Sequence, residues 1–453
     1  MSYTLYAGYA KQKVTPPMGL AIPGYFSKRY SDGIITDLYV NATAISDGEN
    51  KAIFFSCDAI GMSPDAYVIV RDKIAERCQI DPSSVYIHCT HSHTAFRITV
   101  PGKENTANDI FLYRLFQQMT DAAQFAFEDL KPVSAVKIAK GEVKGVGFIR
   151  RYRMKDGTCK TNPGIGNPDI LDFDGVQDES LQIVRLIREE AKEILLVNFG
   201  THPDVIGGNK YCADWPGYVV ENLTGAFDGN IEVLYLNGCQ GDSNHHNCFL
   251  PKGSPRKGVP LAERMARKIS GEVLKIYDNA KDVPYEKITF SNKIVEVGMN
   301  PHDPADEAEA KEIHALYQKI QTSADPVFKQ YKLNVPEALR IVRNMNRKDP
   351  TFKLQVSAIQ LGNVAFIGLP GEPFVDIGRQ IKEKSKMDMT ICTCVTNGGC
   401  GYFPTASAFA EKGYERSTSP FAHNVAETLV NGALDLISEM EVLVPEVPNN
   451  TEA

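Results

Sequence analysis

The chain has 453 residues, 43% hydrophobic and 23% charged, the balance of a globular protein with room for one large domain or a few ordinary ones. A net charge of -7 gives no basic field for a phosphate backbone, so nucleic acid is excluded as the expected partner. Met1 to Ala10 lacks the basic and apolar regions of a signal peptide, and no run of about eighteen apolar residues occurs, so a cytoplasmic chain without stable membrane insertion is expected.

The segment Gly8 to Asp47 carries the turn-rich Val14-Thr15-Pro16-Pro17 and Ile22-Pro23-Gly24-Tyr25, suited to opening a fold or lining a mouth. Strand-like alternation follows from Leu38 to Ile45, and Lys51 to Ser56 reads as a buried strand ending in Cys57-Asp58. Ala66 to Cys78 has helical spacing of apolar residues. Val85-Tyr86-Ile87 then starts a strand that runs into His88-Cys89-Thr90-His91-Ser92-His93-Thr94. This is the strand, helix, strand rhythm of an α/β protein. In an extended chain the spacing of His91 and His93 puts both imidazoles on one face, which suits a metal or proton-transfer site. A polar strand end with two solvated histidines is the alternative reading.

Residues 107 to 130 read as one amphipathic helix that packs on the core. The loop-rich stretch Gly145 to Gly175 carries Arg150-Arg151-Tyr152-Arg153, either a solvated turn or a clamp for an anion or substrate. Further apolar strands then end in Thr201-His202-Pro203-Asp204, in Asn237 to Asn244, in Pro370-Gly371-Glu372-Pro373 and in Thr396 to Tyr402. With Asp58 and His91 this makes six strand ends bearing functional side chains, and the carboxyl ends of strands are where α/β sheets place their pockets. Between them, Pro301 to Thr351 reads as a helical excursion forming a lid or rim, or as a plain solvated face. Residues 441–453 read as a disordered tail. No internal repeat or dividing linker is evident, so one catalytic domain over residues 1–440 is expected. The ten cysteines lack Cys-x-x-Cys spacing and read as free thiols.

Two imidazoles and a carboxylate from separate strand ends are the minimum set for a catalytic zinc with an open position, and His91, His202 and Glu372 would provide it. At these residues the sequence resembles the neutral (non-lysosomal) ceramidases and their shorter bacterial relatives. Thr90-His91-Ser92-His93 is similar to the family's T-H-T-H-S, Asn237 to Asn244 to its N-x-G-D-x-[SN] turn, and Pro370-Gly371-Glu372 to its P-G-E. Gly401-Tyr402 and Tyr414-Glu415 resemble its pair of active-site tyrosines, and the likeness runs from about Gly8 to about Ile437.

The resemblance implies an α/β fold of mixed β-sheets flanked by helices, a neutral-ceramidase-like catalytic domain. It also implies one zinc per chain held by His91, His202, Glu372 and Tyr402. His93 would sit beside the metal for proton transfer, Tyr414 would polarise the substrate carbonyl, and Arg150 would match the family's arginine. Tyr402 has the alternative of a substrate-facing or core tyrosine with its hydroxyl bonded. Asp58, Asp242 and Ser243 are expected to contact substrate. His245 and His246 offer either a second metal site or a surface pair. The sequence departs from the family in having Ile149 where an Asn precedes the arginine, in a shorter Gly241 to His246 turn, and in stopping where a C-terminal β-rich domain would begin.

The activity expected is zinc-dependent cleavage of an amide (N-acyl) bond by metal-activated water. The substrate is expected to be a soluble small molecule rather than ceramide, because the chain is acidic and has no obvious amphipathic membrane helix. An esterase or lactonase acting on a polar or sugar-like substrate is one alternative. An isomerase or lyase with a different or dinuclear metal centre is another. Nothing in the sequence specifies an oligomeric state.

Overall fold

The structure, a computed structural model, describes residues 4–411 and 413–443. Three stretches of it fold into the same unit. In the first, Tyr6–Lys13, Tyr39–Ser46 and Lys51–Cys57 form an antiparallel meander, and the helix Pro64–Cys78 carries the chain back so that Val85–Cys89 joins the last strand in parallel. A parallel neighbour cannot be reached by a tight turn, so each such pairing needs a helical crossover. The second unit repeats the pattern with Lys131–Glu142, Ser180–Arg188, Glu193–Phe199, the helix Asp214–Ala226 and the parallel strand Ile231–Asn237. The third uses Ile288–Gly298, Thr351–Leu361, Val364–Gly368, the helix Val375–Lys384 and the parallel strand Met389–Thr393. A covering helix follows each unit: Ala107–Glu128, Val259–Tyr277 and Val425–Glu439. The repeat that the sequence hides is therefore one of topology.

Local chemistry starts and stops these elements. The Ser63 side chain accepts from the Ala66 amide with Pro64 in the first helical turn, and Gln79 in the left-handed conformation closes that helix. Thr106 and Asp109 form a reciprocal capping box on Ala107–Glu128. The buried strands are near-continuous apolar runs, such as Ile194-Leu195-Leu196-Val197, because they are covered on both faces.

The first two units join edge to edge through Tyr6–Lys13 and Lys131–Glu142, while the third forms its own sheet. Phe54 and Tyr86 of the first unit, Leu196 and Leu236 of the second, and Phe366 and Ile391 of the third meet in one shared core between the sheets. The helices pack on the outer faces in separate clusters.

The ends of the three parallel strands are stitched together. His88 Nδ1 donates to the Cys394 carbonyl at 2.7 Å, its Nε2 accepts from the Asn237 amide at 2.9 Å, and the Cys394 amide donates to the Asn237 carbonyl at 3.1 Å. Burial pushes His88 down to about 4, so it serves as a neutral joint.

Residues 301–351 insert between the first two strands of the third unit. They include the helices Glu307–Ile320 and Val335–Met345, which share a small core around Ile313, Phe328 and Ile341. In the stretch expected to be a disordered tail, the Leu443 amide donates to Asn363 Oδ1 at 2.7 Å, while residues 444–453 lie outside the described residues. All ten cysteines are free, and no helix among the described residues is long and apolar enough to cross a membrane.

Candidate metal centre

The strand that leads to the two histidines ends at Cys89, and His91 itself adopts a left-handed backbone with φ 73°. That conformation is uncommon for a residue with a Cβ and marks a constrained position. His91 and His93 therefore meet through a turn rather than along an extended face, with ring centroids 5.0 Å apart. His202 arrives from the loop after Glu193–Phe199, its ring 5.1 Å from that of His91 and 5.7 Å from that of His93. Glu372 follows Val364–Gly368 and pairs in a two-residue parallel ladder with Tyr402.

Hydrogen bonding fixes the tautomers. His91 Nδ1 lies 2.6 Å from the Ile60 carbonyl, and His202 Nδ1 lies 2.8 Å and 3.0 Å from the carbonyls of Gln240 and Ser243. A carbonyl only accepts, so each Nδ1 carries the proton and each Nε2 of the neutral ring presents a lone pair. Those lone pairs face Glu372 Oε2 at 3.3 Å and 3.1 Å. Burial raises the Glu372 pKa, and the pull of His91 and His202 that holds the carboxyl well below its usual range belongs to their cationic forms. One shared proton bridges only one of these two contacts, and the other lone pair still faces the same carboxylate oxygen. Three electron-pair donors aimed at one another in a buried site fit a bound cation.

Both ring nitrogens of His93 are buried without a hydrogen-bond partner, and one nitrogen each from His91, His93 and His202 lie within 4.8 Å of one another. His93, expected beside the metal, is thus within reach of it as a donor. Tyr402 stacks on His202 at 6.3 Å and 25°. Burial, reinforced by Glu372, raises its hydroxyl well above the usual value, so it is a neutral phenol in the absence of an ion.

Arg150 lies behind the tyrosines, its guanidinium carbon 5.2 Å from the Tyr402 ring and 5.8 Å from the Tyr414 ring. Its Nε donates to Glu415 Oε1 at 2.9 Å and its Nη2 to the Gly241 carbonyl at 2.7 Å, and Arg151 reaches the other Glu415 oxygen at 3.4 Å. The reading of this run as a solvated turn is corrected for these two residues: both are buried, and only Arg153 is exposed.

Three expected substrate contacts lie elsewhere. Asp242 Oδ1 accepts the Val375 amide at 2.7 Å at the start of the helix Val375–Lys384, and burial lifts its carboxyl to about 7. Ser243 Oγ donates to Gln177 Oε1 at 2.6 Å beneath the His202 loop. Asp58 Oδ2 accepts the Tyr39 amide at 2.9 Å and borders a separate cavity of about 490 Å³ with Lys11 and Glu221. All three side chains satisfy backbone or loop partners, so none lines the cavity that holds His91 and Glu372. His245 Nε2 donates to the Arg256 carbonyl at 2.7 Å, and with His246 it faces Arg264 and Lys268 rather than a third donor.

That cavity, of about 300 Å³, also takes in Tyr25, from the turn read as lining a mouth, and two residues that no motif singled out, Arg97 and Arg343. The Tyr25 hydroxyl donates to Asp204, and Lys257 Nζ donates to both at 2.7 Å. Arg29 Nη2 donates to the His93 carbonyl at 2.7 Å, tying the Pro23 to Tyr25 lip over the histidines. The Gly24-Tyr25 turn and Asp204 stood in segments noted from the sequence. Arg343 had no local sign, because only the fold brings its helix to this mouth.

Mixed sheets in this order, flanked by helices and meeting at buried histidines, define the neutral-ceramidase class of fold. The chain superposes on the neutral ceramidase from Pseudomonas aeruginosa with a TM-score of 0.72, covering 99% of this chain and 76% of that one at 13% sequence identity. A ceramidase complexed with C2 gives 0.71, with 98% and 77% coverage at 12% identity. No protein-family model and no curated protein sequence matches the chain. At these identities the likeness is one of fold, and the neutral-ceramidase-like fold is the one that the motifs predicted.

Proposed function

We propose that this chain is a zinc-dependent hydrolase that cleaves an amide (N-acyl) bond in a soluble small molecule. The observation that carries the reading is the pair of Nε2 lone pairs of His91 and His202 turned on the Glu372 carboxylate at 3.3 Å and 3.1 Å. Imidazole and carboxylate donors suit zinc, with Tyr402 or His93 available as a further donor. Bound there, the ion supplies Lewis-acid polarisation of the substrate carbonyl and a water whose pKa falls towards ~7.

The chain's own groups have complementary work. Tyr414, 37% exposed at the cavity, donates its hydroxyl to the carbonyl oxygen as negative charge develops there. Arg150, held cationic beside Glu415, lends its field from behind the two tyrosines. Burial pushes His93 down to about 3, so its ring enters neutral; it would take the proton released as water adds to the carbonyl and pass it to the leaving nitrogen as the C–N bond breaks. The Tyr25 lip, fastened through Asp204 and Lys257, limits access of water from that side.

The shape favours a polar substrate over ceramide. The cavity next to the histidines has a volume of about 300 Å³ and carries Arg97 and Arg343 in its wall. At Tyr414 it adjoins a groove of about 1030 Å³ that includes Lys160, Asp306, Lys332 and Glu337. A long alkyl chain would have to lie against these charges. Residues 4–440 act as one catalytic domain in this reading, and ten free thiols suit a reducing cytoplasm.

The test couples metal analysis to hydrolysis of short N-acyl amides, esters and lactones. One zinc per chain is expected, and His91→Ala should lose the ion and lower kcat/KM by on the order of 10³-fold or more. Full metal content and full turnover in that variant would sink the assignment. Iron, manganese or two ions per chain would favour an isomerase or lyase.

A further inference from the structure

The proposed site leaves two cations unused. Arg97, from the short strand Phe96–Ile98 that follows the histidine turn, and Arg343, from the helix Val335–Met345, line the same cavity as His91, Glu372 and Tyr414. Both are exposed. Among the described residues neither has a carboxylate within ion-pair distance. Arg343 makes one long bond, from Nη2 to the Thr418 carbonyl at 3.4 Å, and Thr418 belongs to the same short helix as Tyr414. Three other arginines in this region are engaged: Arg150 with Glu415, Arg340 with the Ser417 and Asn300 carbonyls, and Arg29 with the carbonyls of Pro23 and His93, while Arg416 lines the adjoining groove.

Among the described residues the only carboxylate in the cavity wall is Glu372, which the histidines already engage. A chain with a net charge of -7 thus keeps a positive mouth over its reaction centre. Guanidinium groups are the side chains best matched to planar or tetrahedral oxyanions, and in a narrow cleft their field adds to that of a bound cation.

We propose that the substrate carries an oxyanion group, a carboxylate or sulfonate a few bonds from the scissile amide, and that Arg97 and Arg343 bind it. This inference rests on the hydrolase reading of the same site. Arg97 comes from the first unit and Arg343 from the insertion in the third, so two separate elements would supply the guanidinium groups to one anion. The scissile carbonyl would lie below it, near Tyr414 and the histidines. The arginines act in binding, and their removal should appear in KM more than in kcat.

The experiment compares N-hexanoyltaurine, N-hexanoylglycine and neutral N-propylhexanamide on the full-length metal-loaded protein. Alongside, calorimetry compares binding of hexane-1-sulfonate, a poor metal ligand, with hexan-1-ol. The expected result is a kcat/KM at least ~10-fold higher for the anionic amides, weakening as salt rises, and a matching preference for the sulfonate in binding. Arg97→Gln and Arg343→Gln should each reduce that preference, and the double variant should abolish it with metal content unchanged. Equal handling of neutral and anionic probes, or a preference that survives the double variant, overturns the proposal. The taurine and glycine arms show whether sulfonate or carboxylate is preferred. Arginine-dependent sulfonate binding without turnover of any amide or ester would uphold the anion site and sink the hydrolase reading.

Discussion

Asp58 shows how a buried acid acquires a role other than the one its position suggests. It sits at a strand end like His91, yet its carboxyl takes the Tyr39 amide and burial lifts it to about 7, against the opposing pull of that amide and of Lys11. A carboxyl whose folded pKa lies above its unfolded value near 3.8 stabilises the fold fully below pH ~4, and this contribution is lost as pH rises towards 7. Asp58→Asn should therefore flatten the fall in thermal stability between pH 4.5 and 8, by at most about 4 kcal/mol. An unchanged pH profile in that variant would refute the assignment. Tyr414→Phe carries a different expectation: kcat should fall on the order of 10²-fold while KM and metal content hold. His91, His202 and Glu372 were legible in the sequence because each directly follows an apolar strand. Asp242 and Ser243 follow the same kind of strand end, which here supplies a helix cap and a loop support.

The turn Ile22-Pro23-Gly24-Tyr25 works as an element whose backbone touches the site. Gly24 has φ +113°, and a Cβ there would stand 2.5 Å from Ile60 Cδ1 and 2.9 Å from His93 Nδ1. Gly24→Ala should lower activity by about ten-fold or more and cost about 1–3 kcal/mol, read by chemical denaturation beside kinetics. The helix Val335–Met345 has a complementary function. Arg340 on it donates to the carbonyls of Asn300 and Ser417, so it braces the short helix Tyr414–Thr418. Arg340→Met should lower kcat through Tyr414 without releasing metal, and unchanged kinetics would rule out the brace. Strands, crossovers and the helical nature of residues 301–351 followed from apolar spacing and composition. A rim role was one of the two readings of that insertion, but the particular residues were not legible, because Arg343 and Arg340 look like ordinary surface charges until the helix is docked.

At the level of the whole molecule, the units share one core around Phe54, Leu196 and Phe366, and the proposed ion site lies where their strand ends converge. Binding at that junction should stabilise the native state by mass action, about 2.7 kcal/mol at a hundred times Kd. Chelation is accordingly expected to lower Tm by several degrees, and zinc to restore it. A Tm indifferent to both would contradict a metal at the junction. The topological repeat escaped the sequence reading because the units share connectivity but no motif: His202 and Glu372 follow the third strand of their units, where the first unit has Asp58, and His91 follows the fourth strand of the first.

One ligand from each unit has a consequence for folding. His202 and Glu372 are 170 positions apart, and Glu372 lies in the third of the three units in chain order. A chain whose third sheet has not yet formed holds only the histidines, so the proposed ion site is completed only when all three units have folded.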